Sequence, residues 1–161
     1  MSILFLIVVL SLILWIILFF FRGGFWRADQ IIETDIGNLS NWPSVAIIIP
    51  ARNEEKYIAT ALESLISQKY PGNFKITVVN DNSNDNTLEA VKKIKDQSIA
   101  VLNGSSLPKG WTGKLWALKQ GIELSNNKNP SSDYYLLTDA DILHSPETMK
   151  TLITKAEREN L

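Results

Sequence analysis

Residues 43–81 read PSVAIIIPARNEEKYIATALESLISQKYPGNFKITVVND, and this stretch decides the fold. It contains two β-branched runs, Val45–Ile49 and Phe74–Val79, which are predicted strands. Between them, apolar residues recur at the spacing of one helix face, at Ile58, Ala61, Leu62, Leu65 and Ile66. Pro71-Gly72 marks the return to a strand. The order strand, helix, strand predicts an α/β fold with a mostly parallel, Rossmann-like sheet.

The same alternation continues downstream. Two more strands are predicted, at Ile99–Leu102 and Tyr134–Thr138. Three more helices are predicted, at about Thr87–Lys95, at about Lys114–Leu124 and from Pro146 onward. Asp85 or Asn86 is a suitable N-cap for the first of these helices. The last helix is still running at Leu161, so residues 43–161 are expected to be the N-terminal part of a longer domain.

The N-terminal residues have a different composition. From Ile3 to Phe21 every residue except Ser11 is apolar, and a helix of that length rises roughly 28 Å, enough to cross a hydrocarbon core. We predict a transmembrane anchor over residues 1–22. A cleaved signal peptide would need a basic start and a small-residue cleavage site, and a buried core helix would show a polar face.

Residues 23–42 lack a sustained period and are predicted to form a juxtamembrane linker, with a first element of the folded domain as the alternative. Arg22 and Arg27 follow the span and no charged side chain precedes it, so the positive-inside rule places the folded domain on the cytoplasmic side of the cell inner membrane. The absence of cysteine fits a reducing compartment. A net charge of −1 lacks the excess of basic residues that is typical of nucleic-acid-binding proteins.

The most informative polar residues stand where strands end, because ligands of parallel sheets gather at that edge. Asp139 and Asp141 follow the apolar run YYLLT, and two carboxylates so close together repel each other unless a cation lies between them. Mg²⁺ or Mn²⁺, bridging them to substrate phosphates, is the predicted cofactor. The alternative is a pair of solvated loop or capping residues.

Two further positions are candidates for a nucleotide ligand. Asp81 follows the second strand and can accept hydrogen bonds from a base or ribose, unless it only forms an Asx-turn. Lys114 lies at a predicted helix start and can meet a diphosphate, unless it only faces solvent. A Walker A loop ending at Gly113-Lys114 is excluded, because Pro108 stands where its first glycine is required and Leu115 replaces Ser or Thr.

Other polar and aromatic residues are expected to have structural roles. Asp85 is predicted to be a cap or turn residue. His144 is the only histidine and is expected to be solvated. Trp111 and Trp116 could stack on a sugar or lie against a membrane, with burial in the core as the equal alternative.

The segments IIIPARNEE, VVNDNSNDNT, GKLWALKQG and LLTDADI, in this order, resemble glycosyltransferase family 2 with its GT-A fold. The resemblance covers residues 45 to about 150. It implies nucleotide-sugar binding by Pro50, Ala51, Arg52, Glu54, Asp81, Lys114 and Asp139, and metal binding by Asp139 and Asp141. Arg52 departs from the family's frequent tyrosine and Asn80 from its first aspartate, so UDP is only slightly favoured over GDP.

The resemblance also implies an inverting reaction, in which a base deprotonates an acceptor hydroxyl that attacks the sugar as the diphosphate leaves. That base is expected beyond this chain, so the chain alone is expected to be inactive. The stretch LPKGWTGKLWALKQG after one span resembles the hopanoid-biosynthesis-associated branch, which implies a lipid acceptor. The alternatives are transfer to a polyprenyl phosphate and a non-catalytic, membrane-tethered nucleotide-sugar binder.

Overall fold

The computed structural model describes residues 2–22, 39–127 and 132–159. The chain divides into two compact units, Met1–Glu33 and Thr34–Leu161. In the first unit, α1 (Ile3–Phe21) begins after Ser2, whose Oγ accepts a hydrogen bond from the backbone N–H of Phe5. Among the described residues, α1 is the one helix long and apolar enough to cross a membrane.

In the second unit, four strands form one parallel sheet in the order β3-β2-β1-β4. They are β1 (Val45–Ala51), β2 (Phe74–Asn80), β3 (Ile99–Asn103) and β4 (Tyr134–Leu137). The register pairs Ala51 with Asn80 and Asn80 with Asn103, so three strands end side by side. The predicted α/β fold with a parallel sheet is confirmed, and the loops leaving these strands start at one edge, here called the carboxyl edge.

One face of the sheet carries the larger core. It is covered by α2 (Ile58–Ile66), α3 (Thr87–Lys93) and α5 (Thr148–Glu159), each of which contributes buried apolar side chains. The predicted stripe of α2 is confirmed, since Ile66 is partly buried and the other four members are fully buried. Full burial of such side chains contributes about 1.5–3 kcal/mol each, so this face dominates the stability of the domain.

The other face carries a smaller core under α4 (Gly113–Asn126). Ala46, Ile48 and Val79 of the sheet pack against Ala117 of this helix. Gly121 lies so close to the sheet that a Cβ there would clash with the side chain of Ile48. A small residue at this point therefore lets α4 lie directly on β1 and β2.

Some predicted boundaries shift by a few residues. The third helix ends at Lys93 because Ile94 takes an extended conformation and packs against the larger core. The last helix, α5, starts at Thr148 and not at Pro146. The carbonyl of Pro146 instead accepts a hydrogen bond from the N–H of Lys69 (2.8 Å).

The predicted linker lies mostly outside the described residues, which resume at residue 39. Leu39 and Trp42, at its C-terminal end, pack against the larger core. The ring of Trp42 meets that of Tyr70 edge to face, with centroids 5.4 Å apart. The packed part of the domain therefore includes residues that precede the predicted boundary at Pro43.

Candidate functional site

The polar residues of the strand ends converge on one open cleft of about 400 Å³ at the carboxyl edge. Every residue predicted from the sequence as a ligand of the nucleotide sugar or the metal lies in its wall: Pro50, Ala51, Arg52, Glu54, Asp81, Lys114, Asp139 and Asp141. Gly113 and Ala140 complete the lining. Parallel strands bring these segments together because their carboxyl ends meet at the same edge.

The loops after β1 and β2 are joined by hydrogen bonds. Asn53 has a positive φ of 59°, a conformation that asparagine tolerates because its side chain bonds locally. Its N–H donates to Oγ of Ser83 (3.1 Å), and its Oδ1 accepts from the N–H of Asn84 (2.8 Å). The N–H of Glu54 donates to Oγ1 of Thr87 (2.8 Å), whose side chain is completely buried. The backbone on this side of the cleft is therefore fixed by contacts between the two loops.

Asp85 belongs to the same network and faces the protein. Its Oδ1 accepts from the N–H and hydroxyl of Thr87, and its Oδ2 accepts from the N–H of Glu55 (3.1 Å). Desolvation raises the pKa of this carboxyl, but the hydrogen bonds from Thr87 and Glu55 outweigh it and hold the pKa below its usual value. The predicted structural role of Asp85 is confirmed.

The side chain of Asp81 is only 13% accessible, compared with 49% for that of Asp139. Its Oδ2 lies 3.8 Å from Nη1 of Arg52, which is mostly exposed. A Cβ at Gly113 would lie 2.7 Å from the same oxygen, so the start of α4 closes against this carboxylate. This role of Gly113 was not among the predictions, although a glycine directly before Lys114 is a signal in the sequence.

Asp139 and Asp141 lie on the opposite side of the cleft. Oδ1 of Asp139 is 2.6 Å from Nζ of Lys114, and both side chains are about half exposed. Desolvation, followed by the negative charges of Asp141, Asp85 and Asp139, raises the pKa of Glu54 above its usual value. The cleft thus combines a carboxylate cluster with two cations, an arrangement suited to a ligand that carries phosphates together with a metal ion.

Nowhere in residues 2–22, 39–127 and 132–159 do three His, Asp or Glu side chains form a group able to hold a metal ion. Asp139 and Asp141 supply two carboxylates. Mg²⁺ and Mn²⁺ prefer oxygen ligands, and Mg²⁺ is commonly bound by one or two carboxylates with substrate phosphates and water completing the shell. The residues present therefore fit a divalent cation that is shared with a diphosphate, and not one enclosed by protein ligands.

Three aromatic predictions are corrected or resolved. His144 is not simply solvated: it is partly buried, its Nε2 lies 2.9 Å from Oγ1 of Thr138, and its N–H donates to Oγ of Ser64. Burial lowers the pKa of its imidazole. Trp111 is exposed and Trp116 is partly buried, with their ring centroids 5.4 Å apart, so neither lies in the two cores.

Sequence comparison relates the chain to known enzymes. A family model described as Glycosyl transferase family 2 matches residues 46–161. The "Probable glycosyltransferase YdaM" of Bacillus subtilis is 34% identical over 150 residues, which are 87% of this chain and 34% of that protein. A "Dolichyl N-acetyl-alpha-D-glucosaminyl phosphate 3-beta-D-2,3-diacetamido-2,3-dideoxy-beta-D-glucuronosyltransferase" of Methanococcus voltae is 28% identical over 119 residues, 71% of this chain and 34% of that protein. The chain spans about a third of the length of these relatives.

Solved structures show the same fold. The crystal structure of Staphylococcus aureus TarS 1–349 matches with a TM-score of 0.58 at 27% identity, over 73% of this chain and 33% of that one. Its complex with UDP-GlcNAc matches with a TM-score of 0.53 at 28% identity, over 73% and 32%. The mannosyltransferase PcManGT of Pyrobaculum calidifontis, solved with GDP-Man and Mn²⁺, has a TM-score of 0.61 over 76% and 35%, but at 22% identity it bears on the fold alone.

Proposed function

Because its residues 46–161 match the family model, the chain belongs to glycosyltransferase family 2, and from this membership we propose that its cleft binds the nucleotide-diphosphate-sugar donor of a membrane-anchored transferase. Family members transfer sugars from nucleotide sugars to acceptors. One observation carries the proposal: Asp81, Lys114, Asp139 and Asp141 come from separate segments and line a single cleft. The fold brings these positions to one edge of the sheet, but it does not require the side chains there to be charged.

The two sides of the cleft suit the two ends of a donor. Pro50, Ala51, Arg52 and Glu54 would surround the nucleoside, with Asp81 accepting hydrogen bonds from the base. Asp81 is suited to this role because it is mostly shielded from water, which strengthens a hydrogen bond to a charged acceptor. UDP is favoured over GDP, a choice supported by the TarS relative solved with UDP-GlcNAc.

The diphosphate would lie between Lys114 and the pair Asp139 and Asp141. Asp139 and Asp141 would hold Mg²⁺ or Mn²⁺, which when bound neutralises the negative charge of the diphosphate. Lys114 is already paired with Asp139 at 2.6 Å, so a phosphate that binds there exchanges one anionic partner of this lysine for another. An inverting displacement would also need a general base and an acceptor site.

The acceptor is proposed to be a lipid, and the domain is proposed to face the cytoplasm at the cell inner membrane. The apolar helix α1 supports a membrane anchor. A hopanoid-related acceptor follows from the resemblance of LPKGWTGKLWALKQG. Transfer to a polyprenyl phosphate is the second candidate. The name of the Methanococcus relative supports a polyprenyl-linked acceptor, although that name describes addition to the sugar of a dolichyl-linked N-acetylglucosamine and not to the phosphate itself.

Titration calorimetry on the full chain in nanodiscs tests the donor site. We expect UDP-GlcNAc to bind with Mn²⁺ or Mg²⁺ and to bind far more weakly with EDTA. GDP-mannose serves as the competing donor. Failure of every nucleotide sugar to bind in the presence of metal would overturn the proposal.

The same preparation separates an enzyme from a binder. Because the chain spans about a third of its relatives, we expect donor binding without transfer to extracted lipids. Transfer would show that the catalytic base lies within this chain. If an extended protein that includes further family sequence makes a lipid product, acid lability of its sugar linkage would favour the polyprenyl-phosphate candidate.

A further inference from the structure

The loop between β3 and α4 and the first turn of α4, which contributes Lys114 to the cleft wall, carry several exposed apolar side chains. Leu107, Trp111 and Leu115 expose 52%, 41% and 57% of their surfaces, and Lys109 is exposed among them. These four residues are called the Trp111 surface. The buried side of α4 is formed by Ala117, Gly121 and Ser125, so Leu115 does not belong to the core-facing side of its helix.

The charged residues in the segment that carries the Trp111 surface are all basic. Between Asp96 and Glu123 the chain contains Lys109, Lys114 and Lys119 and no acidic residue. The rest of the cleft wall carries four acidic residues, Glu54, Asp81, Asp139 and Asp141, and one basic residue, Arg52. Lys109 forms no ion pair with any residue that the structure describes. An apolar surface edged by unneutralised lysine complements an anionic surface.

The aromatic pair has the form of an interfacial anchor. Trp116 is held in place because its Nε1–H donates to the carbonyl and hydroxyl oxygens of Ser105 (3.3 and 3.2 Å). Trp111 packs on it edge to face and remains exposed. Tryptophan favours the headgroup region of a bilayer, where apolar side chains enter the boundary and lysines meet lipid phosphates.

We propose that the Trp111 surface lies on the anionic headgroup surface of a lipid bilayer, with Leu107, Trp111 and Leu115 entering the interface and Lys109 beside lipid phosphates. This proposal rests on the proposed function only in placing the domain next to a membrane. Leu115 adjoins Lys114, a residue of the cleft wall. Contact at the Trp111 surface therefore holds the mouth of the cleft at the level of lipid headgroups, where a lipid acceptor presents its polar end.

The chain lacks cysteine, so a single introduced cysteine is a unique site for a polarity-sensitive fluorophore such as NBD. Leu115→Cys places it on the Trp111 surface. Tyr57→Cys is the matched control, because Tyr57 is also 57% exposed and lies away from that surface, before α2. Both labelled full-length chains are reconstituted into vesicles of phosphatidylcholine, with or without phosphatidylglycerol, that contain a doxyl-labelled lipid.

With phosphatidylglycerol, we expect a blue shift and doxyl quenching at position 115 and neither at position 57. Both signals should weaken in phosphatidylcholine alone. Lys109→Gln should reduce quenching at 115, whereas Lys92→Gln, an exposed lysine of α3, should not. Equal signals at 115 and 57, or equal signals in the two vesicle types, would overturn the proposal. A blue shift at 115 without doxyl quenching would mean that protein covers the surface, and would also overturn it.

Two measurements on the same samples keep this proposal separate from the proposed function. Flotation with the vesicles reports whether the chain is anchored, and UDP-GlcNAc binding with Mn²⁺ reports the donor site. Anchored, donor-binding protein whose label at 115 is unquenched contradicts the Trp111 surface alone. Quenching at 115 without donor binding contradicts the proposed function alone.

Discussion

The two sides of the cleft are built differently. On one side, the loops after β1 and β2 are joined through backbone groups and small polar side chains, including Asn53, Ser83 and Thr87. On the other, the start of α4 and the end of β4 meet through the ion pair of Lys114 and Asp139. The bond from the N–H of Glu54 to Thr87 is partly buried, and leaving such a bond unmade costs about 1–3 kcal/mol, whereas an exposed ion pair contributes about 0–1 kcal/mol. The first side is therefore preformed, and the second can rearrange when a charged ligand arrives.

If the second side is held by charge alone, removing its carboxylates should abolish ligand binding and leave the fold intact. We expect Asp139→Asn with Asp141→Asn to weaken Mn²⁺-stimulated UDP-GlcNAc binding by about 100-fold or more, because metal ligands and their partners are costly to replace. The free energy of unfolding should change by less than about 0.5 kcal/mol, as for other surface substitutions. Calorimetry and urea unfolding in detergent micelles measure the two effects. Retained metal-stimulated binding would contradict the assignment of these residues.

The first side should respond in the opposite way. Thr87→Val keeps the shape of a buried side chain but removes the acceptor for the N–H of Glu54 and one donor to Asp85. We expect a loss of about 2 kcal/mol in the free energy of unfolding. Thr60→Val, on the exposed side of α2, is the control and should change it little. A loss no larger than that of the control would mean that the two loops do not depend on this contact.

Gly113→Ala probes the place where the two sides meet. The new Cβ would lie 2.7 Å from Oδ2 of Asp81 and push this carboxylate aside, while alanine at the first residue of α4 gains less than the roughly 1 kcal/mol by which it is preferred over glycine in a helix interior. We expect UDP-GlcNAc affinity to fall about fivefold, or about 1 kcal/mol, with no loss of stability. Asp81→Asn and the variant with both substitutions complete a double-mutant cycle. Losses of affinity that do not add indicate that Gly113 acts through Asp81. Additive losses would contradict that route.

The smallest effect concerns Glu54, which belongs to the first side but faces the charges of the second. Its pKa is raised above 4.5 by desolvation and by the neighbouring carboxylates. The folded domain therefore becomes less stable as the pH rises from about 4.5 through the raised pKa, because the carboxyl ionises more readily in the unfolded chain. At lower pH the carboxyl is protonated in both states and this loss is absent. Glu54→Gln should stabilise the domain at pH 7 by less than about 0.5 kcal/mol, with the gain disappearing near pH 4. Urea unfolding at both pH values measures it, with Glu63→Gln on α2 as control; a gain that grows on acidification would contradict the sign.

Local patterns were sufficient for most of the fold. The β-branched runs and the stripe of α2 predicted their elements closely, because side-chain period and burial share one cause. The gathering of Asp81, Lys114 and Asp139 in one cleft followed from parallel strands and a helix start, without knowledge of distances. These predictions needed only the order of elements and the polarity of their ends.

Contacts between distant segments were not predictable. The approach of Gly113 to Asp81 depends on how α4 lies on the sheet, and the bonds of His144 to Ser64 and Thr138 depend on the path of the loop after β4. A single sequence shows that such residues are polar or small, but not which partner they meet. The expectation of a solvated histidine failed for this reason.

The close contact of Gly121 with Ile48 reaches further than its own neighbourhood. Helix α4 is a stiff rod, and its first residue, Gly113, lies about 12 Å along the axis from Gly121. A methyl group at position 121 would lie so close to the side chains of Ile48 and Val79 that either these side chains or α4 would have to move. If α4 moved, the ammonium group of Lys114 near its start would be displaced from Asp139. The position of the charged groups on this side of the cleft therefore depends on an uncharged residue about two helical turns away.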